Sequence, residues 1–325
     1  MSVFSIIIPC YNEEAVLHET HKRLTQVMQG MGETYELIYV NDGSRDKTPL
    51  LLDQLAQADS HVRVVHFARN GGHQVAVSAG LDYATGEAIV IIDADLQDPP
   101  EVIPEMAEKW RQGAQVVYGK RRSRKGETGF KKWTAKVYYR LLRKLAGNAF
   151  PEDTGDFRLV DKQVADVVRH MPERNRYLRG MFAWVGFRQE AVLFDRDKRF
   201  AGETHYPLRK MLKLSANGIF GFSNKPLSFI AWAGLALLTF SGLGLFALIV
   251  LALLGFSGGL WWLAAWQTAL TGILLLALGI VGAYIARIYD EAKGRPLYVV
   301  ASTRGVWARN RSRGTFSSVA QPVAT

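Results

Sequence analysis

The sequence predicts an α/β domain on a mostly parallel, Rossmann-like sheet, followed by a two-helix membrane hairpin. Three observations predict it. Over the first hundred residues, short apolar runs alternate with segments of helical spacing, the pattern of a parallel sheet covered by helices. Polar residues cluster just after each apolar run, where such sheets place their ligands. And from Pro226 to Ala286 there are 61 consecutive residues without Asp, Glu, Lys or Arg.

Length and composition bound the reading. A chain of 325 residues is too long for one simple core, and a make-up of 48% hydrophobic and 22% charged residues excludes a disordered or collagen-like chain. The single cysteine, Cys10, excludes an intrachain disulfide and a Cys-based zinc site. Forty Lys and Arg against 30 acids leave a formal charge of +10, which points to an anionic partner: nucleic acid, nucleotide-sugar, phospholipid or lipid phosphate.

In order along the chain, Phe4–Ile8 is a first strand, Glu13–Met31 a helix, and Tyr35–Val40 a second strand. Thr48–Ala58 is a helix, Val62–Phe67 a third strand, Gln74–Ala84 a helix ended by Gly86, and Ala88–Ile92 a fourth strand. Tyr11, Asn12 and Glu13 follow the first strand, Asn41 and Asp42 the second, Arg69 and Asn70 the third, and Asp93, Asp95 and Gln97 the fourth. Val3–Ile8 is not expected to be a signal peptide, because it is short, lacks a basic flank and ends in Pro9. His18 and His21 read as ordinary surface residues, and Cys10 as a small packing residue.

The uncharged stretch is too long for one span of about 20 residues and suits two, near 227–254 and 260–286, with a break at Gly255-Phe256-Ser257-Gly258-Gly259. Trp261, Trp262 and Trp266 fit an interfacial aromatic belt. Lys225 precedes the pair, Arg287, Lys293 and Arg295 follow it, and the connecting loop is uncharged. The positive-inside rule then sets both termini in the cytoplasm, with the hairpin crossing the inner membrane twice. The competing reading is a buried helical pair in a soluble core. The expected domains are 1–205, a juxtamembrane segment at 206–225, the membrane hairpin at 226–286 and a basic tail at 287–325.

Asp93-Ala94-Asp95 carries the sharpest chemistry. Residues two apart on an extended segment point the same way. Two carboxylates there can share one hard cation, and Mg²⁺ commonly takes one or two carboxylates and completes its shell with water and substrate phosphates. The plain alternative is a solvated turn at a strand end. There is no dinucleotide-binding glycine fingerprint after a strand and no phosphate loop with Gly-Lys-Ser/Thr.

Ile8-Pro9-Cys10-Tyr11-Asn12-Glu13-Glu14, Val40-Asn41-Asp42-Gly43-Ser44, Asn70-Gly71-Gly72-His73-Gln74 and Asp93-Ala94-Asp95-Leu96-Gln97-Asp98-Pro99-Pro100 together resemble the inverting family 2 glycosyltransferases of GT-A fold. With the C-terminal hairpin, the chain most resembles the polyisoprenyl-phosphate glycosyltransferases. These include dolichol-phosphate mannose synthases and bacterial bactoprenol glucosyltransferases. The resemblance implies that Pro9, Tyr11 and Glu13 line the nucleobase and ribose pocket and that Asp42 accepts a hydrogen bond from the base. It implies that Asp93 and Asp95 meet Mg²⁺ or Mn²⁺ and the sugar phosphate, that Ala94 lies against the donor and that Gln97 helps to place it. An acid at 42 suits an N–H of uracil or of guanine.

The next segment is basic, with twelve Lys and Arg and one acid, Glu127, between Arg111 and Lys144. Gln115–Tyr118 reads as a strand running into Gly119-Lys120-Arg121-Arg122-Ser123-Arg124. Guanidinium groups bind phosphate oxygens through a planar fork, and the family places an arginine here on the acceptor phosphate: Arg121 first, Arg124 second. Phe130–Leu145 reads as a basic amphipathic helix on anionic lipid; a nucleic-acid partner is not expected beside two membrane spans. Asp153-Thr154-Gly155-Asp156-Phe157-Arg158-Leu159 also matches the family, with Asp156 as the acceptor-side carboxylate and Arg158 near the acceptor phosphate. A lipid monophosphate has a second pKa near 6, so it is already largely a dianion and needs no strong base. Arg199-Phe200-Ala201-Gly202-Glu203-Thr204-His205-Tyr206 resembles the family's Arg-x-x-Gly-x-Ser-Lys-Tyr, with Thr204 for Ser and His205 for Lys. Arg199 is the donor-side carry-over, and His205 meets phosphate only when protonated.

These features imply an enzyme that moves one sugar, glucose from uridine diphosphate glucose as the leading donor, onto undecaprenyl or a similar polyprenyl phosphate. N-acetylglucosamine, mannose and modified arabinose donors stay open. A processive polysaccharide synthase is disfavoured by the lack of Gln-x-x-Arg-Trp and by only two spans, and a non-catalytic scaffold by the intact acidic positions. Leu297–Val300 reads as a strand for a neighbouring subunit's sheet edge, and the resemblance implies a homo-oligomer, a tetramer.

Overall fold

The computed structural model describes residues 2–122, 154–195, 225–255 and 259–305. It divides into two compact units, one of residues 1–211 with 295–325 and one of residues 212–294.

The first unit is built on an eight-stranded mixed sheet. Its strands are β1 (Phe4–Cys10), β2 (Tyr35–Asn41), β3 (Val62–Phe67), β4 (Ala88–Ile91), β5 (Val116–Arg121), β6 (Thr154–Asp161), β7 (Gln189–Phe194) and β8 (Val300–Arg304). The spatial order is β7-β5-β6-β4-β1-β2-β3-β8. Neighbours β4-β1-β2-β3 are parallel, while β6 enters antiparallel between β4 and β5. β1 and β2 are buried along their whole length, as near-continuous apolar runs in a sheet covered on both faces should be.

Helices α1 (Leu17–Met31), α2 (Thr48–Ala58), α3 (His73–Tyr83), α4 (Ile103–Arg111), α5 (Lys162–His170) and α6 (Leu178–Trp184) belong to this unit. Leu17, Thr20, Leu24 and Met28 form the buried stripe of α1. This helix starts four residues later than its apolar spacing predicts, because Glu13–Val16 closes as a turn. The Glu13 carbonyl accepts from the amides of Val16 (3.1 Å) and Leu17 (3.2 Å), while the Glu13 amide donates to Thr48 Oγ1 (2.8 Å). α3 crosses β1 so closely that a Cβ at Gly80 would stand 2.2 Å from Ile7 Cγ2. His21, expected at the surface, instead turns its ring to Tyr39 Oη (3.3 Å) and Asp59 (3.6 Å).

β8 also departs from expectation. It pairs antiparallel with β3 of its own sheet, Val64 opposite Arg304, and starts three residues later than the Leu297–Val300 reading. Arg304 meets Asp53 at 3.2 Å, Tyr298 stacks on Phe67 with centroids 5.1 Å apart, and its hydroxyl donates to Asp82 at 2.8 Å.

The second unit consists of two long helices, α7 (Lys225–Leu253) and α8 (Gly259–Ala292). They contain apolar stretches at Trp232–Leu251 and Trp266–Ala292, both of mean hydropathy 2.3 and neither buried. A soluble core helix would be buried, so the exposed apolar surface disfavours that alternative. α8 runs six residues past Ala286, carrying Arg287 and two acids into its last turns.

Candidate active site

The carboxyl ends of the strands converge on one edge, and the registers fix which residues meet there. Cys10 pairs with Asn41 across β1 and β2, so Tyr11 and Asp42 emerge together. Ile7 pairs with Ile91 in parallel, so Pro9 lies level with Asp93. β6 runs the other way, with Ile91 opposite Arg158. Continued two residues past that pair, the same register sets Asp156 opposite Asp93. The antiparallel strand thus brings a residue from far along the chain to the end of β4.

The first two loops brace each other. Asn12, held at φ 57°, donates its amide to Ser44 Oγ (3.0 Å) and accepts from the Arg45 amide (2.9 Å). Tyr11 beside it stays 44% exposed, an aromatic face open to a ligand, while Pro9 is buried in the strand. Asp42 is buried, and its carboxylate accepts from the amides of Gly71 (2.6 Å) and Gly72 (2.9 Å). Burial pushes the Asp42 carboxyl up and these two amides oppose it, with a net rise. Gly43, at φ 65°, would bring a Cβ to 2.7 Å from the Asn70 amide nitrogen, so this crossing of loops needs glycine.

Those glycines deliver the N-terminus of α3 to the acidic cluster. His73 Nε2 lies 3.3 Å from Asp156 Oδ2 and 3.6 Å from Asp93 Oδ1. Arg179 of α6 grips Asp156 with both arms, Nε to Oδ1 at 2.8 Å and Nη2 to Oδ2 at 3.0 Å. Gln74 reaches Asp156 Oδ2 at 3.5 Å with its amide nitrogen and accepts from the Leu178 amide at 2.9 Å. Burial would raise the Asp156 carboxyl, but Arg179 and His73 hold it well below the ordinary carboxylate range. Burial would lower His73, but Asp93 and Asp156 carry it up to about 9. Burial raises Asp93, and the neighbouring His73 only partly offsets this.

Asp93, Ala94 and Asp95 follow β4 as a tight turn. Ala94 is buried, and its carbonyl accepts from the Thr20 hydroxyl at 2.7 Å. Asp95 Oδ1 accepts from the Gln97 amide at 3.1 Å. Leu96 between them sits at φ 57°, a conformation rare for a bulky residue. Among the described residues no group of three or more His, Cys, Asp and Glu side chains could hold a metal ion. Asp93 and Asp95 offer two carboxylates here, a set that would suit a cation completed by phosphate oxygens and water.

The arginines divide into different environments. Arg121 ends β5 half-buried, and Gly155 faces it: a Cβ there would lie 3.7 Å from Arg121 Nη2 and 3.9 Å from Asp98 Oδ2. Arg158 is buried in β6, donates to the carbonyls of Gly155 (3.0 Å) and Asp156 (3.4 Å), and stands 4.8 Å over the Phe182 ring. Burial lowers its pKa to about 10. Glu13 and Gln97 lie half-buried on the edge. Arg124, Arg199 and His205 lie outside the described residues, as do the basic segment 130–145 and the juxtamembrane segment.

The chain matches Glycosyl transferase family 2 over residues 5–169, just over half of its length. It belongs to that family. The glycosyltransferase is 51% identical over 305 residues to the uncharacterized glycosyltransferase YkcC of Bacillus subtilis, spanning 93% of this chain and 94% of the relative. It is 36% identical over 298 residues to the prophage bactoprenol glucosyl transferase homolog of Escherichia coli, spanning 91% and 97%. Among solved structures, glucosyl-3-phosphoglycerate synthase from Mycobacterium tuberculosis covers 67% of this chain and 76% of its own. At 19% identity and a TM-score of 0.47, that likeness is too loose to carry a ligand across.

Three residues of the glycosyltransferase site had no role in the sequence reading: His73, Gln74 and Arg179. His73 and Gln74 stood in the quoted Asn70-Gly71-Gly72-His73-Gln74 stretch, and their position straight after two glycines at a strand end was the available signal. Arg179 gave none, because only the fold brings α6 to β6.

Proposed function

We propose that this glycosyltransferase moves a single sugar from a nucleotide-sugar to a polyprenyl phosphate at the cytoplasmic face of the inner membrane. The observation that carries the reading is the antiparallel register that sets Asp156 opposite Asp93, in a chain that also holds two exposed apolar helices. Relatives named bactoprenol glucosyl transferase, 35–36% identical over 91–92% of this chain, support a polyprenyl phosphate as acceptor and glucose as the sugar. Lys225 before the helices and Arg287, Lys293 and Arg295 after them support cytoplasmic termini.

The chemistry is one displacement. An acceptor phosphate oxygen forms the new bond at the anomeric carbon, the bond to the diphosphate oxygen breaks, and the nucleoside diphosphate leaves with the electron pair. Configuration inverts, and no second nucleophilic carboxylate is needed. Tyr11 and Asp42 receive the nucleoside, and Arg121 with Arg124 receives the acceptor phosphate. Arg158, by its buried contacts, fastens the backbone at Gly155 and Asp156. Mg²⁺ or Mn²⁺ would be held by Asp93 and Asp95, and when bound it offsets charge on the leaving diphosphate.

The test is direct. Purified full chain in detergent, with Mg²⁺ or Mn²⁺ and polyprenyl phosphate, is given a panel of nucleotide-sugars, and the lipid product is weighed by mass spectrometry. One hexose per lipid from uridine diphosphate glucose is expected, and Asp95→Ala should abolish it. Full activity in that variant would defeat the metal assignment, and a ladder of sugars would defeat single transfer.

A further inference from the structure

We infer that Arg179 is a positioning residue that pins Asp156 through both oxygens and so fixes the plane of that carboxylate. The inference rests on the proposed transfer to a phosphate acceptor and assigns the roles within that site.

A carboxylate offers about four lone-pair sites. Arg179 takes one on each oxygen of Asp156, in the forked geometry that fixes a carboxylate plane. His73 and Gln74 both converge on Oδ2 from the first turn of α3. Gln74 also accepts from the amide of Leu178, the residue before Arg179. α3 and α6 are thus latched to each other across the same carboxylate. The charged groups facing it are His73 from α3, Arg179 from α6, Asp93 from the end of β4 and Arg158 from its own strand.

The arrangement answers a charge problem. The incoming phosphate dianion must approach between two carboxylates, Asp93 and Asp156. Arg179 sets its guanidinium against one of them, at 2.8 and 3.0 Å. Because the phosphate loses its second proton near pH 6 in water, the reaction has no need for Asp156 as a base.

The experiment compares Arg179→Ala and Arg179→Lys with the wild-type full chain, reading kcat/KM for polyprenyl phosphate from pH 5 to 9. Affinity for the nucleoside diphosphate and the melting temperature are measured alongside. In the wild type the acid limb should follow the acceptor's own ionisation, with an apparent pKa of about 6. Arg179→Ala should lower the plateau by about a hundredfold with nucleotide affinity kept. Arg179→Lys, which restores charge but not the fork, should recover part of the loss. If Arg179→Ala does not fold, Arg179→Lys carries the same comparison. Unchanged acceptor kcat/KM in Arg179→Ala, or a loss in Arg179→Lys as deep as that in Arg179→Ala, would overturn the inference. A wild type that transfers no sugar across the donor panel would overturn the underlying function as well, so the two failures are distinct.

Discussion

Replacing Asp42 by alanine tests whether this residue organises the site in addition to its proposed contact with the base. Its carboxylate holds the amides of Gly71 and Gly72 at 2.6 and 2.9 Å. Hydrogen bonds to a charged group contribute about 1.5–3 kcal/mol each, so the pair sets an upper range of about 3–6 kcal/mol. The net value belongs at the lower end, about 3 kcal/mol, because burial already raises the Asp42 carboxyl against these same amides. The backbone of Asp42 keeps its own bonds, from its amide to the Cys10 carbonyl and from Asn70 Nδ2 to its carbonyl. The damage should therefore stay local. Hydrogen exchange in detergent reads it: the amides of Gly71 and Gly72 should open about a hundredfold more often, while β1 and β2 stay protected. Asp42→Asn keeps one acceptor and should show about a tenfold effect. Because this turn aims His73 and Gln74, transfer should fall further than nucleotide affinity alone explains. Unchanged exchange at both glycines, with a loss confined to the donor KM, would refute the organising role.

Three other outcomes follow from the packing. Gly80→Ala forces a Cβ to 2.2 Å from Ile7 Cγ2 and should cost about 1–3 kcal/mol by thermal or urea unfolding; with Ile7→Ala added, the double variant should lose less than the sum of the singles. Tyr298→Ala removes the Phe67 stack and the bond to Asp82, so limited proteolysis should cut near β8 several times faster, while Tyr298→Phe keeps the stack and lies between. For Asp59, burial works upward, but the amide and ring of His61 and the nearby His21 outweigh it and hold the carboxyl below its ordinary 3.8. A depressed folded-state pKa gives stability that is present above 3.8 and lost as pH falls through the folded value. Asp59→Asn should flatten that acid limb of a pH-unfolding series.

The legible parts of the molecule are those that local chemistry fixes. The strand ends at Cys10, Asn41 and Ile91 could be read to within one or two residues, as Ile8, Val40 and Ile92, because apolar runs stop where polar residues begin, and the parallel sheet followed from their alternation with helices. The helical pair was readable because an uncharged stretch of that length has few other uses. Boundaries slipped where side chains bind the backbone: the Glu13 turn delays α1, and β5 runs on to Arg121 because it pairs with Phe194 of β7. Arg158 illustrates the deeper limit. By sequence it is one more cation near a phosphate, yet its surroundings, two carbonyls and the Phe182 ring, exist only once α6 packs against β6. Arg179 is the reverse case: an unremarked helix residue that meets Asp156 on a strand more than twenty residues earlier.

The insertion of β6 against the direction of β4 explains why one sheet edge can serve both substrates. In a wholly parallel sheet every strand reaches the ligand edge with its carboxyl end, and each loop there leads into a helix. β6 instead reaches that edge with its amino end, at Thr154 to Asp156, immediately after the basic segment. The residues proposed for the donor therefore come from the ends of β1, β2 and β4, and the carboxylate proposed for the acceptor side from the start of β6, at the same level as Asp93 by register. That closeness brings two half-buried carboxylates near each other; desolvation raises Asp93 first, and Asp156 adds to the rise. His73 and Arg179 occupy the space between and behind them. Removing either cation should therefore disturb the opposite carboxylate too, and a double-mutant cycle between His73→Ala and Arg179→Ala should show coupling of about 1 kcal/mol or more. Strict additivity would mean that the two cations serve separate functions.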